Sequence, residues 1–168
     1  MTPDQEAADA LVQKADALTR RARSGARLRE GIRLYRKAFK MGDGAGAYNL
    51  ACTYQNLGDY RKAVAWFRRA LDAGDLSALV PLAQAELYGC GTRRNSKAAL
   101  AKLQRIAGWN NVSWISPFDR EQAMIVLAAS LRDGWLLRRD YPASLKWLRR
   151  AAKLGSAEAI GLLEDLGE

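Results

Sequence analysis

The chain has 168 residues, of which 49% are hydrophobic and 27% charged, enough apolar residues for one packed domain and too many for a disordered chain. Lysine and arginine outnumber aspartate and glutamate by 27 to 18, and the resulting net charge of +9 makes an acidic partner surface the first to consider. The absence of histidine excludes Ser-His and Cys-His nucleophile pairs and imidazole metal ligands.

The sequence indicates no catalytic residue, metal ion or cofactor. Cys52 and Cys90 are isolated and form no CxxC pair, so both are expected to be buried or half-buried thiols in a reducing cytosol. The segment around Gly89-Cys90-Gly91 lacks the Gly-Lys-Ser/Thr ending of a phosphate loop. Residues 1–9 hold no Lys or Arg, and no apolar run of membrane-spanning length follows them, so we expect a cytoplasmic protein.

Helical periodicity extends along nearly the whole chain. The predicted helices span residues 4–23, 27–41, 45–57, 60–73, 76–88, 95–107, 117–133, 141–154 and 156–166. Consecutive helices group into an N-terminal hairpin over 4–41, repeats over 42–74, 75–107 and 117–154, and a C-terminal cap over 155–168. Residues 108–118 form an aromatic insertion between the last two repeats.

An internal repeat underlies this grouping. In the second helix of each hairpin, a small residue is followed four positions later by a large one and three positions after that by another small or aliphatic one. The four copies are Gly31-Tyr35-Ala38, Ala63-Phe67-Ala70, Ala99-Leu103-Ile106 and Ser144-Leu148-Ala151. This spacing places all three side chains on one helical face, so two helices can approach closely around the large side chain.

Four residues after each final small position, the sequence favours a helix end. Gly42, Gly74 and Gly155 stand there in three copies and Asn110 in the fourth, the residues that best tolerate the left-handed conformation of a helix terminus. The copies are separated by 32, 36 and 45 residues. The unit is therefore a helical hairpin whose turn and tail vary in length.

These units resemble tetratricopeptide repeats and the related Sel-one-like repeats. The first full copy follows the tetratricopeptide pattern at Ala47, Leu50, Ala51, Tyr54, Gly58-Asp59-Tyr60, Ala63, Phe67 and Ala70, and the turn over 89–99 is similar to the Sel-one-like form. The resemblance implies an all-α fold, a right-handed superhelical α-solenoid of about four helical hairpins plus a C-terminal capping helix. Members of this family mostly bind proteins.

The resemblance also implies a concave groove lined by the first helix of each hairpin. The expected groove residues are Arg20, Arg23, Tyr48, Cys52, Gln55, Val80, Gln84, Leu87, Tyr88, Ile125, Ala129 and Arg132. Aromatic rings beside amide groups and a guanidinium suit a bound peptide or helix. The alternative is that terminal helices fill the groove, which would make Val80, Leu87 and Ile125 ordinary core.

Basic charge is concentrated near the N-terminus, where residues 14–40 hold ten Lys or Arg and two acids. At helical spacing, five of these residues form what we call the basic stripe: Arg29, Arg33, Arg36, Lys37 and Lys40. A solvated outer face, an acidic protein partner and nucleic acid are all consistent with it. Nucleic acid is the least favoured, because no aromatic residue is expected among these arginines and their equivalents Arg68-Arg69 and Arg149-Arg150.

The aromatic insertion has two possible roles. Trp109, Trp114, Ile115 and Phe118 either fold over the adjacent hairpins or stand out as a binding knob that pairs two copies. Ser116 is expected to cap the helix that begins at Pro117.

The functional expectation is a non-enzymatic module that binds a protein or peptide segment in its concave groove, as an adaptor, a secretion chaperone or an immunity-type inhibitor. An acidic partner would fit the charge, and the protein is expected to be a monomer or a weak homodimer. The alternative function is an RNA-associated protein that uses the basic stripe.

Overall fold

The computed structural model describes residues 2–20, 22, 24–108, 115–134 and 138–168. These residues form nine α-helices and one short 3-10 helix and contain no strand, so the predicted all-α class is confirmed. The helices are α1 (Pro3–Thr19), α2 (Gly25–Lys40), α3 (Gly44–Asn56), α4 (Tyr60–Asp72), α5 (Leu79–Tyr88), α6 (Ser96–Gly108), α7 (Pro117–Asp133), α8 (Tyr141–Lys153) and α9 (Ala157–Asp165), with the 3-10 helix over Leu76–Ala78.

The predicted helices agree closely with the observed ones. The first helix ends at Thr19, earlier than residue 23, while the bounds of the others lie within two residues of the prediction once the 3-10 turn is joined to α5. The predicted cap of α7 is also confirmed, because the Ser116 hydroxyl accepts a hydrogen bond of 3.0 Å from the backbone N–H of Asp119.

The described helices pack into two compact units. The first unit comprises Met1–Ala85 and Gly89–Arg93, and the second comprises Glu86–Tyr88 and Arg94–Glu168. In the first unit α1 packs against α2 and α3, and α3 packs against α4. In the second unit α6 packs against α7, α7 against α8 and α8 against α9. Contacts between sequence neighbours are typical of stacked helical hairpins.

The small-large-small repeat is buried in all four copies. The large side chains, Tyr35, Phe67, Leu103 and Leu148, are at most 2% exposed, and the small positions that precede and follow them are buried as well. Ser144, the only polar member, donates its hydroxyl to the backbone carbonyl of Ala128 at 2.8 Å, so its burial leaves no unsatisfied donor. The sequence pattern therefore identified the face on which each hairpin closes.

Glycine ends the helices where the sequence predicted. Gly42, Gly74 and Gly155 have φ angles of +92°, +88° and +94°, in the region that favours glycine. Asn110, the fourth such position, lies outside the described residues. In the Sel-one-like turn Gly91 has a φ of +72°, and a Cβ atom there would lie 2.1 Å from the backbone oxygen of Tyr60. Gly91 thus provides both a left-handed conformation and a close approach to α4.

Replacing Phe67 by Ala should lower the free energy of unfolding by about 3–5 kcal/mol, because the ring fills the centre of a hairpin and would leave a cavity. Urea denaturation measures the loss. Phe118→Ala is the matched control, since that ring is 62% exposed and its removal should cost below about 1 kcal/mol. Equal effects from both variants would contradict the proposed register of the repeat.

Gly91→Ala should destabilise the protein more than Gly58→Ala. Both glycines have positive φ, but an added Cβ at Gly58 meets nothing within 4 Å, whereas at Gly91 it meets the Tyr60 backbone. The control therefore measures conformational strain alone, about 1 kcal/mol, and the excess at Gly91 measures the steric clash. Equal melting temperatures for the two variants would show that the close approach is absent.

Candidate binding groove of the first unit

The helix α3 has one face in the core and another that is only partly buried. Asp43 begins the helix, where its side chain accepts a hydrogen bond of 2.8 Å from the backbone N–H of Ala45. Leu50 and Ala51 are fully buried. The neighbouring face carries the half-buried side chains Asn49, Cys52 and Thr53, followed by exposed Gln55 and Asn56. This face is polar enough to bind hydrogen-bonding ligands.

A cavity of about 710 Å³ adjoins this face in the first unit. Its walls come from α1, α2 and α3, and its size lies within the range of small-molecule and peptide side-chain pockets. The lining residues are Asp16, Thr19, Arg20, Ala22, Tyr35, Asn49, Cys52, Thr53, Asn56 and Leu57. We call these residues the first-unit groove.

A hydrogen-bond network lies at the base of the first-unit groove. The Tyr35 hydroxyl donates to Oδ1 of Asp16 at 2.5 Å, and Nδ2 of Asn49 donates to the same oxygen at 3.3 Å. The hydroxyl oxygens of Thr19 and Tyr35 are 3.1 Å apart. Burial raises the pKa of the Tyr35 phenol well above its usual range, and the hydrogen bond to Asp16 raises it further. Tyr35 therefore remains a proton donor, and the network connects three helices.

Two of the expected groove residues, Arg20 and Cys52, line this cavity. Burial raises the pKa of the Cys52 thiol, so it is a neutral group there. Tyr48 is half-buried instead, with its ring edge-on to Phe67 at a centroid distance of 5.6 Å. Gln55 is exposed on α3 next to the cavity but does not line it. Arg23 lies outside the described residues.

The expected groove residues on α5 and α7 differ in accessibility. On α5, Gln84 is half-buried and Tyr88, one turn later, is 39% exposed. On α7, Ala129 and Arg132 are half-buried, and the Arg132 guanidinium donates to the Asp133 carboxylate at 2.8 Å. These positions remain candidates for partner contact.

Val80, Leu87 and Ile125 are buried, with 4%, 0% and 8% of their surfaces exposed. Contact with a partner requires accessible side chains, so the prediction that these three residues line the groove is wrong. The physical reason is clearest for α7, where residues 123–128 are all buried and little of the helix is left open. The alternative considered from the sequence, ordinary core, describes these three residues.

Sequence reasoning missed several groove residues. Asn49, Thr53 and Asn56 recur at helical spacing on α3, a polar stripe that the sequence contains and that could have been recognised. Asp16 and Thr19 lie on α1, which was expected to be part of the N-terminal hairpin. Their grouping with Tyr35 depends on helix packing, for which the sequence contains no local signal.

The basic stripe lies on the exposed face of α2, as predicted, since all five of its residues are exposed. Arg33 pairs with Glu30 at 2.7 Å, and this hydrogen bond lowers the pKa of the Glu30 carboxyl. Arg36 donates to the Tyr54 hydroxyl at 3.1 Å. The stripe is therefore partly engaged with its own chain but largely solvated.

The expectation that no aromatic residue lies among the outer arginines is wrong for α4 and α8. The Arg69 guanidinium lies over the Trp66 ring at 4.6 Å from its centroid, and Arg150 lies over Trp147 at 5.0 Å. Both tryptophans are half-buried. The sequence placed these residues three apart, the spacing of neighbours on one helical face, and that signal was overlooked.

Of the aromatic insertion, Ile115 is buried and Phe118 is 62% exposed. Trp109 and Trp114 lie outside the described residues, so their packing stays a prediction. Cys90 is exposed, contrary to the expectation of a buried or half-buried thiol, because it lies in the turn after α5. Within the described part of the chain no cluster of Cys, Asp or Glu side chains could hold a metal ion.

Comparison with known families agrees with the hairpin repeat. A tetratricopeptide repeat model matches residues 46–73, and a Sel1 repeat model matches residues 28–43 and 121–156. No curated protein matches the chain.

Two solved structures are similar over most of the chain. One is a protective antigen of uropathogenic Escherichia coli strains that displays an SLR fold, with a TM-score of 0.62 and 21% identity over 95% of this chain and 36% of the other. The second is a Sel1 repeat protein from Oxalobacter formigenes, with a TM-score of 0.66 and 18% identity over 95% of this chain and 63% of the other. The chain thus spans less than two thirds of either structure.

The fold is that of a helical-hairpin repeat protein, an α-solenoid. Three segments of the chain thus match tetratricopeptide or Sel1 repeat models, which confirms the resemblance noted from its sequence. The repeat family indicates a protein–protein interaction module, and repeat proteins of this type are in general not enzymes. None of the described helices combines the length and apolar character that crossing a membrane requires.

Tyr35→Phe should lower the free energy of unfolding by about 1.5–3 kcal/mol, since it removes a hydrogen bond to a half-buried carboxylate. Chemical denaturation monitored by circular dichroism measures the change. Tyr60→Phe is the matched control, because that side chain is 45% exposed and its change should stay within about 0.5 kcal/mol. A loss no larger than the control's would mean that the Tyr35–Asp16 contact does not hold α2 to α1.

Proposed function

We propose that the protein is a non-enzymatic binding module that takes an extended peptide or protein segment in the first-unit groove. The observation that carries the proposal is the cavity beside α3, whose wall combines amide, hydroxyl and carboxylate groups. An extended segment presents unpaired backbone N–H and C=O groups, and such groups need partners when they are removed from water. By binding alone, the protein would act as an adaptor, a secretion chaperone or an immunity-type inhibitor in the cytoplasm.

The last turn of α3, beside the first-unit groove, supplies the additional contacts that such a segment needs. Gln55 and Asn56 are exposed in the last turn of α3 and can donate and accept hydrogen bonds. Leu57 follows with 36% of its surface exposed, which offers an apolar contact beside the amides. A few apolar contacts among placed polar groups are typical of peptide and ligand sites.

The basic stripe has a different part in this proposal. Its charges are exposed, so they attract an acidic partner through solvent and raise the association rate more than they hold the complex. A partner with an acidic surface near its bound segment would associate faster because of these charges. This use agrees with the net charge of +9.

RNA binding is the second candidate, and the Arg–Trp pairs on α4 and α8 are the observation in its favour. Single strands bind proteins through stacked aromatic rings and phosphate contacts. However, Arg69 covers the Trp66 ring, and the Phe39 ring lies edge-on to it at 5.6 Å. On the covered face a base could stack only after displacing this chain's own guanidinium, so we favour protein binding.

Site-specific photocrosslinking in cells tests the two candidates. A photoreactive amino acid replaces Asn56 in one variant and Arg68, exposed on α4, in the other. We expect protein adducts at Asn56 that resist ribonuclease, and mass spectrometry would identify the partner. Ribonuclease-sensitive adducts at Arg68, with none at Asn56, would contradict the proposal and favour RNA.

With the identified partner, Gln55→Ala combined with Asn56→Ala should weaken binding by about tenfold or more, because two hydrogen-bonding side chains leave the site. Gln104→Ala, an exposed amide on α6, is the control and should bind like the wild type. Arg29→Glu with Lys37→Glu should mainly slow association and change its salt dependence. If charge reversal eliminates binding and the amide variant does not change it, the basic stripe is the site. Surface plasmon resonance separates the rates.

A further inference from the structure

Asp16 is a half-buried acid that lines a cavity and has no ion-pair partner among the described residues. Between residues 14 and 40 the only acids are Asp16 and Glu30, and Glu30 pairs with Arg33 at 2.7 Å. Within the described residues, no ion pair of 4 Å or less includes Asp16. A carboxylate removed from water is costly unless a cation or several hydrogen bonds compensate it. Asp16 therefore has unused capacity to bind a positive charge.

This carboxylate is reachable from two cavities. It lines the first-unit groove and also an adjoining cavity of about 830 Å³ that is formed largely by the end of α1 and the start of α2. Arg20 lines both cavities too. A bound side chain can therefore reach Asp16 without any rearrangement of the helices.

The hydroxyl donors around Asp16 are already in use. The Tyr35 hydroxyl has one proton and donates it to Asp16 at 2.5 Å. The Thr19 hydroxyl lies 3.0 Å from the backbone carbonyl of Ala15, and the Thr53 hydroxyl donates to the carbonyl of Asn49 at 2.9 Å. What these groups still offer a ligand is acceptor capacity.

The Asn49 side chain adds to this surplus of acceptors. Its Nδ2 group donates one of its two hydrogens to Asp16 at 3.3 Å, and its Oδ1 atom remains as an acceptor. The groove base therefore combines one carboxylate with hydroxyl and amide oxygens. Such a set matches a planar guanidinium, which has five N–H donors and no acceptor.

Among the described residues that line the first-unit groove, Arg20 is the one cation, and it repels a positively charged ligand. Its side chain is exposed, so water and salt weaken its repulsion of a ligand. Asp16 is half-buried, where the effective dielectric constant is lower and its attraction correspondingly larger. The balance at the base of the cavity favours a cation.

We infer that the first-unit groove selects segments that carry an arginine, whose guanidinium enters the cavity and pairs with Asp16. This inference rests on the proposed function, since it names the side chain by which the groove recognises its segment. Lysine fits less well, because an ammonium presents three donors at a single point and cannot span the separated acceptors.

Selection from a displayed library of random dodecamer peptides tests the inference, with the immobilised full-length protein as bait. We expect enriched peptides to share an arginine at one fixed position. One enriched peptide is then synthesised together with versions in which citrulline or lysine replaces that arginine. Citrulline keeps the shape but is neutral, so its affinity should fall at least tenfold, and that of the lysine peptide should lie between the two.

Protein variants assign this loss to Asp16. Asp16→Asn should lower the affinity for the arginine peptide at least tenfold and change the affinity for the citrulline peptide by no more than about twofold. Glu30→Gln removes the same charge from the same hairpin but lies outside both cavities, and should leave the affinity unchanged. Arg20→Ala should raise the affinity for the arginine peptide, because it removes a repelling charge. This gain tests the inference even if the Asp16 variant has a lowered melting temperature.

The outcomes separate the inference from the proposed function. Equal affinity of the arginine and citrulline peptides, with loss of binding in the Gln55→Ala, Asn56→Ala variant, would overturn the arginine site and leave the peptide groove intact. Enrichment of no peptide, or of peptides insensitive to every groove variant, would overturn both. If Glu30→Gln and Asp16→Asn lower the affinity equally, the effect is one of general charge, and this result would also overturn the arginine site.

Discussion

The close approach of paired helices around one large buried side chain is the constraint on which the rest of this structure depends. Small residues before and after each large one let the backbones come near, and the buried large side chain fixes the register. In the first unit, α3 buries Leu50 and Ala51 in this packing and keeps polar residues on its other face. The groove beside α3 is a consequence of this division between core face and open face.

Tyr35 combines this packing role with a hydrogen bond in the candidate site. It occupies the same repeat position as Phe67, Leu103 and Leu148, and its ring is as buried as theirs. Only Tyr35 carries a hydroxyl, and that hydroxyl reaches Asp16. The N-terminal hairpin therefore closes like the others and at the same time positions a carboxylate in a cavity. The candidate site therefore lies where the N-terminal hairpin packs against α3.

The sequence determined most of the fold because the relevant signals are local. Helix periods, the small-large-small face and the glycines at helix ends all lie within a few residues of one another. The site could be predicted only in part. Asp16, Tyr35 and Asn49 come together from three helices over separations of 19 and 33 residues, and helical spacing contains no information on that meeting. The prediction for Ile125 was wrong for a related reason, since residues 123–128 are apolar on every face of α7 and give no sign of which face stays open.

The residues that give the chain its net charge can differ from the residues that recognise a partner. Most of the +9 charge lies on exposed side chains such as those of the basic stripe, whose interactions are screened within about 8–10 Å at physiological salt. Such charges act on encounter with any acidic surface and discriminate little between partners. A single carboxylate beneath a groove acts at short range, in a medium that screens it less. A basic protein can therefore attract acidic partners and still bind selectively those that present a positive side chain. Its exposed charges set the association rate, whereas the half-buried carboxylate sets the specificity of binding.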